Sequence, residues 1–171
     1  MAKKTATPPL DQNPYVKELL DVLKMYDPTR LEYLKDMIKN TARIEQQLAA
    51  AVAEVAEMRR ELAAIRGDNH PIRKAMKNAI AGIQDKIQAL SEQLEKLKAA
   101  IINGCKDTIA AFKERGISAL NEMVKFFKIK PALEEIAKVS NQAVKDNDKS
   151  INQIERISKE YHKAGKHIKN F

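Results

Sequence analysis

Apolar residues recur along much of this chain at alternating steps of three and four. One unbroken run of ten positions is Leu34, Met37, Thr41, Ile44, Leu48, Ala51, Val55, Met58, Leu62 and Ile65. Only an α-helix brings such positions into one line, and a stripe this narrow calls for a partner helix to cover it. A second run is Met76, Ile80, Ile83, Ile87, Leu90, Leu94, Leu97 and Ile101. It continues through Cys105 to Ile109 by two steps of four, a stutter that locally unwinds a supercoil. A third is Leu133, Ile136, Ser140, Ala143, Asn147, Ser150, Ile154, Ile157, Tyr161, Ala164 and Ile168, with a polar or small middle. An Asn in a seam sets register at a cost in stability.

Punctuating residues divide these runs. Residues 1–13 are polar with adjacent prolines and read as a disordered tail. Asn13-Pro14 reads as a helix start, followed by Val16, Leu19, Leu20, Leu23 and Tyr26 on one face. Asp27-Pro28 stops this helix and starts the next, which Gly67 ends. The small residues from Ala49 to Ala56 predict the tightest helix approach there. Gly67 to Pro71 is a turn by composition, short enough to return the chain antiparallel. Gly104, beside the stutter, suggests close backbone approach.

Gly116 reads two ways. Arg115-Gly116-Ile117 resembles a helix stop with an apolar residue beyond it. Yet Ile109, Phe112, Gly116, Leu120, Met123 and Phe127 keep helical phase across the glycine. Lys130-Pro131 is a firmer boundary, because the residue before proline avoids the α region. The expected fold is all-α, an elongated antiparallel bundle or coiled coil of three long helices plus one or two short ones. Its helices span about 14–26, 28–66, 71–128 with a break or kink near 116, and 131–169, in one domain over 14–171.

Composition agrees with this pattern. Glycine and proline number 5 and 6 in 171 residues, aromatics make up 5% and there is no Trp, which suits long helices better than a sandwich or an α/β enzyme. The single cysteine, Cys105, excludes a disulfide framework within the chain. The basic N-terminus leads into Thr-Ala-Thr-Pro-Pro and not into an apolar run, so it does not read as a signal peptide. The longest apolar run, Leu48 to Ala53, is far short of a membrane span. The expected location is the cytoplasm.

Catalytic and cofactor chemistry find little support. A di-iron bundle needs Glu-x-x-His pairs, and none of His70, His162 and His167 has a Glu three residues before it. Cys105 sits near a seam with no histidine close in sequence and reads as a small buried hydrophobe. The glycines are dispersed and no strand pattern precedes them, which excludes a phosphate-binding loop. No enzyme, cofactor or metal is expected.

The net charge of +8 is the remaining functional signal. Arg156, Lys159, Lys163 and Lys166 form one stripe, turned away from the seam through Ile154 and Ile157. Arg66, Arg73, Lys74 and Lys77 flank the Gly67–Pro71 turn, and Lys113, Arg115, Lys125, Lys128 and Lys130 form a third cluster. The simpler account is a solvated face with favourable cations at a helix C-terminus. The sharper account is weak, salt-sensitive, sequence-blind contact with nucleic acid. Against membrane binding, the last helix lacks Trp and has a seam that can pack into the bundle.

Several phrases occur together: Glu18-Leu19-Leu20, Ile44-Glu45-Gln46-Gln47-Leu48, Lys74-Ala75-Met76, the Ile87-to-Ile101 heptads, Phe112-Lys113 followed by Gly116 and Ala119-Leu120, and His167-Ile168-Lys169-Asn170. With them residues 15–170 resemble an uncharacterised all-helical family carried on conjugative and mobilisable elements, and some phages, of Gram-positive gut bacteria. The resemblance implies a bacterial cytoplasmic protein of a mobile element and no particular activity. The leading functional expectation is a non-enzymatic coiled-coil interaction protein, a scaffold or adaptor that binds another protein or itself, as a dimer. The alternatives are a nucleic-acid-associated accessory factor and an inhibitor of a host defence complex.

Overall fold

The computed structural model describes residues 8–64 and 71–143, with 145, 146, 149, 152 and 156, and only the backbone of 71, 72, 125 and 127. It is an all-α protein whose long helices pack against each other. No strand occurs among the described residues. The elements are α1 (Pro14–Tyr26), α2 (Pro28–Ala64), α3 (Pro71–Arg115), a 3-10 helix (Gly116–Lys128) and a further helical stretch, α4, over 129–143.

The helix ends follow from local chemistry. Asn13 caps α1: its Oδ1 accepts from the N–H groups of Tyr15 at 2.9 Å and Val16 at 3.3 Å, and Pro14 takes the first helical position. Asp27 serves both neighbours. Its N–H donates to the Leu23 carbonyl, ending α1, and its Oδ1 accepts from the Arg30 N–H at 3.1 Å, starting α2. Burial would raise the Asp27 carboxyl. The Arg30 N–H, the Arg30 guanidinium and the Thr29 N–H outweigh that and hold it below the usual value of 3.8.

The tail reading needs correction at its C-terminal part. Leu10–Gln12 form a 3-10 turn and Leu10 is 2% exposed, so this stretch is anchored by an apolar side chain. Residues 1–7 lie outside the described set.

The chain divides into two compact units. The first comprises residues 1–46 and 90–139, the second 47–89 and 140–171. In the first, α2 buries Leu31, Leu34, Met37, Thr41 and Ile44, and α3 buries Leu90, Leu94, Ile101, Cys105 and Ile109. Val16, Leu19 and Leu23 of α1, Leu120, Met123 and Phe126 of the 3-10 helix, and Leu133 and Ile136 of α4 join them. Each such aliphatic side chain contributes roughly 1.5–3 kcal/mol by leaving water. The Tyr26 and Phe112 rings meet at 5.7 Å, tilted, at the end of α1.

The second unit has a core of Ala51, Val55, Met58, Met76, Ile80 and Ile87, with Leu62 and Ile83 packed against it. Of the small-residue run only Ala51 and Val55 are buried, while Val52 is 55% exposed. Ala51 and Val55, one turn apart, are the face this run presents to the core. A close approach is also visible at Gly104 in the first unit. A Cβ there would stand 2.9 Å from the Phe126 Cζ, so the ring rests where any other residue would carry a side chain.

At Gly116 the chain turns through φ +72, α3 ends and the 3-10 helix begins. Ile117 stays 59% exposed, so it does not fold back on the helix it follows. Three residues per turn bring Leu120, Met123 and Phe126 into one column. The α-periodic seam instead continues to Phe127, whose side chain is outside the described set. The Lys130-Pro131 boundary also shifts. The helix begins at 129, and Pro131 sits in its first turn, where its missing N–H would have no partner anyway. The seam residues Ile65, Asn147, Ser150, Ile154, Ile157, Tyr161, Ala164 and Ile168 lie outside the described residues, as does the turn over 67–70.

Candidate functional site

The most unusual side chain inside the first unit is Lys98 on α3, buried at 1% exposure. Its Nζ stands 2.8 Å from Glu45 Oε1 of α2 and 3.6 Å from Glu95 Oε1, one turn earlier on α3. A buried ammonium is tolerable only with such partners. The Glu45 and Glu95 side chains are 31% and 37% exposed, so they still reach water while Lys98 does not, although the Glu45 Oε1 that faces the ammonium is itself buried.

The seam as read from sequence passes from Leu94 through Leu97 to Ile101. The structure buries Lys98 more deeply than the half-buried Leu97. The signal was present. Lys98 also sits three and four residues from its seam neighbours, with Glu95 at i−3 to pair with it. Charge alone argued against placing it inside.

Two interior hydroxyls are tied to the backbone of their own helix, while that of buried Ser140 has no hydrogen-bond partner among the described residues. The hydroxyl of Thr41 donates to the Met37 carbonyl and that of Thr108 to the Gly104 carbonyl, each at 2.8 Å. Burial pushes the Cys105 thiol up to about 12, so it stays protonated at neutral pH. Tyr33 is raised too, by burial and then by the Glu134 charge.

The basic residues singled out by sequence have varied surroundings. Lys74 and Lys77 are exposed on α3 and Arg73 is half-buried. Arg156 is exposed, while Arg66, Lys159, Lys163 and Lys166 lie outside the described residues. The third cluster is partly neutralised from within. Lys113 pairs with Glu18 at 3.3 Å, Arg115 with Glu122 at 3.2 Å, and Lys130 sits 5.2 Å over the Tyr33 ring. His70, His162 and His167 fall outside the described set. Among the described residues, no group of three or more His, Cys, Asp and Glu could hold a metal ion.

Each unit has a groove among its described residues. One, of about 220 Å³, lies in the first unit beside Gly104, Asp107, Thr108, Glu122 and Phe126. The other, of about 290 Å³, lies in the second unit beside Asn78, Gly82, Ile83 and the Lys86–Asp146 ion pair. Both are smaller than the roughly 300–1,000 Å³ usual for a small-molecule site.

These features define a protein of long packed helices in which one buried ammonium, that of Lys98, ties two of them together. The chain belongs to a family of unknown function, DUF6674, which matches it over residues 12–171. No curated protein and no solved structure matches it. Among the described residues, no helix is long and apolar enough to cross a membrane.

Proposed function

We propose that this protein is a non-enzymatic interaction protein that works through its helix faces, associating with itself and with another protein. The observation that carries the reading is the continuity of the α2 seam, buried at every step from Leu31 to Met58 by helices of the same chain. A sequence devoted to helix–helix packing along its length suits a scaffold or adaptor. The buried polar groups fit the same role, since Lys98 ties α3 to α2, Thr41 and Thr108 bond only within their own helices, and Cys105 stays an unreactive thiol. Met25, Val52, Ile117 and Val124 are large apolar side chains left more than half exposed, and a partner could cover them.

The resemblance to helical proteins of conjugative and mobilisable elements supports a place in the bacterial cytoplasm, in service of such an element. Light scattering on the eluting protein across a concentration series tests self-association, and a strict monomer at high micromolar concentration defeats it. Crosslinking in cells followed by mass spectrometry tests the second partner. A gel shift at low ionic strength that fades with salt would instead favour the nucleic-acid reading, carried by the exposed Lys74 and Lys77.

A further inference from the structure

The 3-10 helix at Gly116–Lys128 runs for 13 residues, whereas such helices seldom exceed three or four because their hydrogen bonds are less well aligned. Something other than local preference holds this one. The holds are visible. The Phe126 ring lies against the bare Cα of Gly104. The Tyr33 hydroxyl donates to the Phe126 carbonyl at 3.3 Å, and the Ile129 N–H donates to the same oxygen. Arg30 Nη2 donates to Asn121 Oδ1 at 3.2 Å.

The sequence of the segment satisfies a second geometry. At about 120° per residue, Ile117, Leu120, Met123 and Phe126 share a column and Val124 points away from it. At about 100° per residue, Leu120, Met123, Val124 and position 127 gather on one face and Phe126 turns away from Leu120 to the side of Ala119. Val124, 58% exposed, is the large apolar residue that the 3-10 period leaves in water, whereas Ile117, on the column, is 59% exposed beside the Gly116 hinge. Val124 joins the apolar face only in the α form. Adjacent phenylalanines at 126 and 127 supply an aromatic to either period.

We propose that residues 116–128 are a two-state element that converts between the observed 3-10 helix and an α-helix, hinged at Gly116 and latched in the 3-10 form by Tyr33 and Gly104 acting on Phe126. The two forms differ in length. Thirteen residues span about 26 Å at 2.0 Å per residue and about 20 Å at 1.5 Å per residue. The difference is close to one α-helical turn. Conversion therefore draws the start of α4 along the first unit by one turn, a step in which one buried side chain takes the place of the next. Leu133 and Ile136 have the three-residue spacing that such a step needs. A partner that binds one form more tightly shifts the equilibrium by that difference in affinity.

The test is solution NMR on the isotope-labelled full chain. Contacts from CαH of residue i to the N–H of i+2 mark the 3-10 form, and contacts to i+4 mark the α form. Wild type should show the i+2 set across 117–128. Tyr33→Phe removes one donor oxygen and adds no volume, and Gly104→Ala puts a methyl where the Phe126 ring rests. Both variants should gain the i+4 set, with Val124 amide exchange slowed several-fold. If Gly104→Ala fails to fold, Tyr33→Phe decides alone. A folded Tyr33→Phe protein with only i+2 contacts overturns the proposal, as does wild type with only i+4 contacts.

Discussion

Lys98 and Glu45 should respond unequally to mutation, and the asymmetry follows from exposure. The Lys98 ammonium is 1% exposed, while the carboxylates that hold it, Glu45 at 2.8 Å and Glu95 at 3.6 Å, are about one-third exposed. Removing one partner of a buried pair costs about 3–5 kcal/mol, because it strands a charge that water cannot reach. Glu45→Ala strands the ammonium, but Glu95 remains and retains part of the attraction, so the expected loss is about 2–4 kcal/mol. Lys98→Met keeps the volume and costs less: it leaves the buried Glu45 Oε1 without its partner, but the Glu45 and Glu95 side chains are about one-third exposed and can turn to water, so the loss should stay below about 1–2 kcal/mol. In the double variant, the loss due to Glu45→Ala should largely disappear. The assay is urea unfolding followed by far-ultraviolet circular dichroism, with stability taken from the midpoint and slope. Glu45→Ala within about 0.5 kcal/mol of wild type would refute the reasoning, and so would Lys98→Met being the more damaging change.

Three further outcomes are expected. Cys105, buried and with its thiol raised to about 12, should not react with a disulfide reagent at pH 8 in the native protein and should react at once in urea; stoichiometric reaction of the folded chain within minutes would contradict this. Gly82 lies in α3 with open space where a Cβ would stand, so Gly82→Ala should stabilise by about 0.5–1 kcal/mol, and a lowered melting temperature would count against the helix reading there. Asp27 has a carboxyl held below 3.8 in the folded chain, so its contribution is present above the unfolded value and lost as pH falls through the folded one. Asp27→Ala should cost about 1 kcal/mol at pH 7, mainly through the lost cap of α2. The gap to wild type should narrow below pH ~3.8; a gap constant from pH 7 to strong acid would rule out the charged contribution.

The alternation of three and four steps from Leu34 to Met58 located the buried face of α2, because helical periodicity alone decides which residues share a line. Asn13-Pro14 and Asp27-Pro28 likewise marked helix starts, since the capping side chain and the fixed proline φ act within a few residues. Other features rest on groups distant in the chain. Lys98 is buried because Glu45, far away in sequence, meets it across two helices. Gly104 is occupied by a ring from position 126.

The candidate basic faces were visible as spacing, yet spacing could not say that Glu18 and Glu122 would neutralise part of the third cluster. After Gly116 two periods fit the same residues. Local sequence permits both, and the choice of Phe126 over its neighbour came from Gly104 and Tyr33. The sequence by itself therefore determined an all-helical chain and most of its buried faces, because backbone hydrogen bonding and side-chain periodicity are local. Tertiary structure decided which charges go inside and which helical form follows Gly116, because desolvation and close contact depend on what arrives from elsewhere in the chain.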